Sequence, residues 1–151
     1  MTIVHEDIVV GCREAYLIGI GGAGMSGLAR ILKHLGLSVR GSDRKESSVT
    51  RNLRNDGIGV RIGQEEIGLG SADLVIYSSA ISKNHLELVE ARRSGRKVYH
   101  RAEVLASLMN HADTALGVLG THGKTTTSAM LSFVLSRIGA DPTCFVGSDM
   151  I

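Results

Sequence analysis

The stretch AYLIGIGGAGMSGLARIL, residues 15–32, limits the possible folds more than any other part of the chain. An apolar run, expected as a strand over Ala15–Ile20, passes into Gly19-Ile20-Gly21-Gly22-Ala23-Gly24, a complete G-x-G-x-x-G. Beyond it, Met25, Leu28, Ala29, Leu32 and Leu35 recur at helical spacing on one face, and Gly36 suits the helix end. Strand, glycine turn and amphipathic helix form the start of a βαβ unit. Gly19 permits the tight turn, Gly21 lets backbone N–H groups approach a diphosphate, and Gly24 lets the helix pack close to the strand. The helix N-terminus adds roughly half a positive charge facing the phosphates.

The same alternation continues along the chain. Further strands are predicted at Ser38–Gly41, Val60–Ile62, Leu74–Tyr77, Lys97–Tyr99 and Ala115–Leu119. Helices are predicted over Val49–Asn55 (capped by Ser48), His85–Arg93, Ala102–Met109 and Lys124–Ile138. This is α/β: a Rossmann-like, doubly wound parallel sheet whose apolar strands are covered on both faces. Residues 1–106 form that unit. After the linker LMNHADT, residues 107–151 start a second unit, with a strand, a glycine loop and a helix. A chain of 151 residues holds one well-buried domain rather than two, so the second unit is expected to be cut short.

Composition excludes several classes. Net charge is +2, there is no Trp and no basic cluster with stacking aromatics, so nucleic acid is a poor partner. Cys12 and Cys144 stand far apart in no metal-ligand spacing and are expected as free thiols of a reducing cytosol. The N-terminus has no signal-peptide pattern, and no apolar run approaches the ~20 residues that span a bilayer. The expectation is a cytoplasmic protein without membrane contact.

Other residues converge on the first loop. Asp43 ends the second strand where a Rossmann fold keeps its ribose-binding acid; the alternative is a solvated turn residue beside Arg44 and Lys45. Ser78 and Ser79 follow the fourth strand, and ligands of open α/β sheets lie at carboxyl ends of strands; equally, both serines could simply cap a turn. The second loop, GTHGKTTT at 120–127, is a variant P-loop, because Val118 stands where the strict pattern asks for Gly. Amides around Gly123 can cradle phosphates, Lys124 can bridge them as a point charge, and Thr125 can offer its hydroxyl to Mg²⁺.

Taken together, GIGGAGMSGLA (19–29), GSD (41–43), ADLVIYSSAIS (72–82), RAEVLASLM (101–109) and GTHGKTTT (120–127) make the chain resemble the N-terminal part of a Mur ligase. Met25-Ser26-Gly27 favours the branch that joins L-alanine to UDP-N-acetylmuramate over the murein peptide ligases. The resemblance implies ATP-dependent activation of a carboxylate as an acyl-phosphate, attacked by an amine, in peptidoglycan synthesis. It makes the first unit the UDP-binding domain, with Gly19, Gly21, Gly22, Ala23, Gly24, Met25, Ser26, Asp43, Ser78 and Ser79 as candidate substrate residues. It puts ATP at Gly120, Thr121, His122, Gly123, Lys124, Thr125 and Thr126, with Lys124 and Thr125 catalytic and Thr125 on Mg²⁺. His85-Leu86 replace the family's Asn-Pro, and Arg96-Lys97-Val98 its Ile-Pro-Val. Family enzymes are much longer, so the chain is expected to be a fragment that binds the nucleotide sugar without catalysing ligation alone.

Two other classes remain open. One is an NAD(P)-binding oxidoreductase or regulator, which takes the first loop and Asp43 at face value but leaves GTHGKTTT unexplained. The other is a non-enzymatic nucleotide-binding module that docks to a partner. Met130, Leu131, Phe133, Val134, Leu135 and Ile138 wrap most of the last helix, so self-association through this uncovered edge is expected.

Overall fold

In chain order the elements are Glu14–Ile18 (β1), Met25–His34 (α1), Ser38–Asp43 (β2), Ser48–Asn55 (α2), Gly59–Ile62 (β3), Leu74–Tyr77 (β4), Leu86–Arg93 (α3), Lys97–His100 (β5), Arg101–Asn110 (α4) and Lys124–Arg137 (α5). They come from a computed structural model that describes residues 8–63 and 66–146. The five strands form one all-parallel sheet in the order β3-β2-β1-β4-β5.

Strand alternation sorts the core into two layers. Ala15 and Leu17 of β1, with Leu74 and Ile76 of β4, pack against Leu28 and Leu32 of α1, Leu53 of α2 and Val104 of α4. Tyr16 and Ile18, with Val75, face the other way, against Leu88 and Ala91 of α3. Buried on both faces, β1 is apolar apart from its first residue, as a central parallel strand must be. The strand order reverses between β1 and β4, which opens a crevice at their carboxyl ends.

Besides small shifts at other element ends, such as β1 stopping at Ile18 rather than Ile20, sequence and structure differ in three places. Ala115–Leu119 is not a strand. An extended segment needs a neighbour to take its N–H and C=O groups, and no described strand lies beside this one; Leu119 is 93% exposed. The helix that follows forms because its backbone bonds close within it, yet α5 buries none of its residues. Second, the cap of α2 is Ser47, not Ser48. Ser47 Oγ accepts from Thr50 N at 3.2 Å and Thr50 Oγ1 accepts from Ser47 N at 2.8 Å, a reciprocal capping box that starts the helix one residue earlier. Third, β2 runs on to Asp43, since Ser42 pairs with Ile18 and Asp43 with Ile62. Among the described residues no helix is long and apolar enough to cross a membrane.

Candidate nucleotide site

The first glycine loop leaves β1 at Gly19, whose φ of +76° lies in the left-handed region that glycine alone enters freely. Its amides are largely spoken for. Gly19 N and Ile20 N donate to Ser42 O (2.8 and 2.9 Å), and Gly22 N donates to Gly19 O (3.1 Å). Met25 N and Ser26 N donate to Gly22 O (2.9 and 3.0 Å). Gly21 N donates to Asp43 Oδ2 at 2.9 Å. Ala23 N and Gly24 N, at the N-terminus of α1, have no acceptor among the described residues. Those two amides are the donors the loop holds out.

The glycine roles therefore differ from the sequence expectation. A Cβ on Gly21 would lie 2.8 Å from Thr50 Cγ2 and 2.9 Å from Asp43 Oδ2, so Gly21 is required by α2 and Asp43 rather than by open approach to a diphosphate. Its N–H is already used. The three atoms nearest a Cβ on Gly24 all belong to Arg101 rather than to a strand, with Nη1 at 1.8 Å. Asp43 ties the end of β2 to the loop, because its other oxygen accepts from Lys45 N at 3.2 Å. Met25 is 2% exposed and packs into the core, so its side chain has no access to a ligand.

A cavity of about 290 Å³ opens beside the loop at the switch point. It brings together Gly19, Gly22, Asp43 and Ser78 from the sequence-derived set, and adds Arg44 and His85. Ser79 is exposed and does not line it. His85 is the N-cap residue of α3 but makes no capping bond, and its Nδ1 is buried without a partner. Leu86, where the family's proline would suit a first helical turn, stands 57% exposed. Arg96 clamps the loop before β4 by donating to Ala72 O (3.1 Å) and Gly70 O (2.8 Å).

Sequence reasoning assigned no role to Arg44, His85 or Arg101. The signal for Arg101 was present. It directly follows β5, and the rule that ligands gather at strand carboxyl ends, applied to every strand, nominates it.

The second loop is separate from this cavity. Gly123 opens α5 at φ +76°. Lys124 folds back to donate to Gly120 O (2.5 Å) and Thr121 O (3.1 Å), and residues 120–127 are exposed. Helix amides, an ammonium and the hydroxyls of Thr125 and Thr126 form a donor set suited to phosphate oxygens. No group of three or more His, Cys, Asp or Glu that could hold a metal occurs among the described residues.

A doubly wound parallel sheet with a glycine loop at its switch point defines a Rossmann-like α/β protein. Residues 14–113 match the Mur ligase family, catalytic domain, and the chain belongs to the Mur ligase family. It is 49% identical over 137 residues to the UDP-N-acetylmuramate–L-alanine ligase of Carboxydothermus hydrogenoformans, covering 90% of this chain and 29% of that protein. With the enzyme of the same name from Caldicellulosiruptor saccharolyticus it shares 48% over 133 residues, covering 88% and 29%. Among solved structures it is similar to a UDP-N-acetylmuramate–alanine ligase of Thermotoga maritima (TM-score 0.78, 32% identity, 84% of this chain and 30% of that one). A murein peptide ligase of Psychrobacter arcticus gives 0.77 and 27% identity, covering 84% and 27%. The chain thus spans under a third of the length of the relatives it matches.

Proposed function

We propose that this chain is the nucleotide-sugar-binding part of a ligase that joins L-alanine to UDP-N-acetylmuramate in the cytoplasm. The observation that carries the reading is the pair of open amides at Ala23 and Gly24, set at the N-terminus of α1 beside the switch-point cavity. A diphosphate is the ligand such a helix end takes. The uridine would lie toward the cavity of Gly19, Asp43, Ser78 and His85. The near half-identity to alanine-adding ligases supports the choice of substrate.

In this reading residues 1–106 hold the UDP moiety and residues 107–151 open the ATP-binding unit. Gly120–Thr126 wrap the ATP phosphates, and Lys124 leaves its two carbonyl partners to meet them. Thr125 would offer its hydroxyl oxygen to Mg²⁺, and the ion would supply charge neutralisation at the phosphates. An NAD(P)-binding role is less well supported, because both oxygens of Asp43 already accept backbone N–H groups.

Calorimetry tests the proposal. Saturable binding of UDP-N-acetylmuramate, with none of NADH, is the expected result. NADH binding without heat from the UDP sugar would overturn it.

A further inference from the structure

Arg101 is in an electrostatically unfavourable position. It is the first residue of α4, and its guanidinium rests on Gly24, the N-cap residue of α1. Helix N-termini carry partial positive charge, so this cation faces the unfavourable end of two helices at once. Nothing described offsets it. Arg101 takes part in no ion pair or hydrogen bond among the described residues, and its Nε is buried without an acceptor. The nearby acid Glu103 is engaged elsewhere, accepting from His100 N at 2.6 Å. A half-buried guanidinium with five donors, beside two open amides, is satisfied by an anion placed between them. A phosphate group matches that fork, and the combined donors exceed what a carboxylate needs.

We infer that Arg101 is a phosphate-binding residue of this site, gripping the diphosphate of the nucleotide sugar from the α4 side while Ala23 N and Gly24 N hold it from the α1 side. The inference rests on the nucleotide-sugar reading above and adds to it a side-chain cation that lies against Gly24 of the glycine loop. The resulting specificity is for a diphosphate rather than for the uracil base.

The test compares the full chain with Arg101→Met and Arg101→Lys, titrating UDP by calorimetry and uridine by NMR, with thermal melts alongside. Arg101→Met should weaken UDP binding by roughly ten- to a hundredfold, the scale of charge-assisted hydrogen bonds, and leave uridine unchanged. Arg101→Lys should restore part of the loss. An unchanged ratio of UDP to uridine affinity in Arg101→Met overturns the inference, whether or not the melting temperature falls, because Arg101 then only packs α4 on α1. A wild-type chain that binds neither UDP nor UDP-N-acetylmuramate overturns the nucleotide reading itself.

Discussion

Tyr16 Oη donates a 2.6 Å hydrogen bond to Glu87 Oε1, joining the central strand β1 to α3 across the buried side of the sheet. Glu87 is 1% exposed, yet it is well supplied with donors. Arg61 Nη2 reaches the same oxygen at 2.6 Å and Gly68 N at 3.3 Å, while Ser42 Oγ donates to Oε2. One carboxylate thus gathers β1, β2, β3 and the loop before β4 onto α3. Tyr16→Phe should cost about 1.5–3 kcal/mol, the range for hydrogen bonds to a charged group. Glu87→Ala should cost about 3–5 kcal/mol, since it leaves two hydroxyls without their acceptor and Arg61 without its carboxylate partner. Denaturant melts of both variants check the order.

The same pair sets an alkaline limit. Burial, then the hydrogen bond to Glu87, raises the Tyr16 pKa from 10.0 to about 12. The folded state therefore holds this proton more tightly than the unfolded chain. That contribution to stability is complete below pH 10 and is lost as pH rises toward about 12. Tyrosinate absorbance should show one of the three tyrosines titrating late, and Tyr16→Phe should remove that phase.

Gly41 should tolerate no side chain. It pairs with Leu17 in the sheet, and a Cβ there would lie 2.3 Å from Leu17 O and 2.9 Å from Ile20 Cβ. The obstructing atom is the backbone of the central strand, which is hydrogen-bonded on both sides. Gly41→Ala should destabilise by about 3 kcal/mol, the upper range for overpacking. Gly117→Ala, with nothing within 4 Å of its added methyl, should change stability little. Melting curves of the two variants give the contrast.

Gly24→Ala should act differently from Gly41→Ala. Its backbone is already helical (φ −87°, ψ −13°), so alanine adds no strain there. The clash is with the far end of Arg101, a side chain that can swing away. UDP affinity should fall as in Arg101→Met, while the melting temperature stays close to wild type. Binding and melting measured on one preparation separate these outcomes.

Much of the fold was readable because each βα unit carries its own signals. Leu28 and Leu32 mark a face, Gly19 a turn, and the apolar run of β1 a doubly covered strand. Ala115–Leu119 has the same local signal and forms no strand, because pairing is a property of neighbours that the segment's own residues do not encode. The site was half readable for a similar reason. The G-x-G-x-x-G spacing located the loop, but which amides stay open depends on Asp43 taking Gly21 N, a contact spanning 22 residues. The place of Arg101 after β5 was legible, but its approach to Gly24 arises only where α4 meets the start of α1.

Helix α5 should be the least protected of the described helices. Local stability follows buried apolar contact. Helix α1 buries Met25, Ser26, Leu28, Ala29 and Leu32, whereas α5 buries nothing and leaves Met130, Phe133 and Val134 exposed. An isolated helix of about this length is marginal in water, and α5 starts from a glycine without a side-chain cap. Hydrogen exchange followed by mass spectrometry should show α5 amides exchanging orders of magnitude faster than those of α1. Saturating UDP should slow exchange around Ala23 and Gly24 but not in α5. Protection of α5 equal to that of α1 would mean that its apolar face is covered in solution.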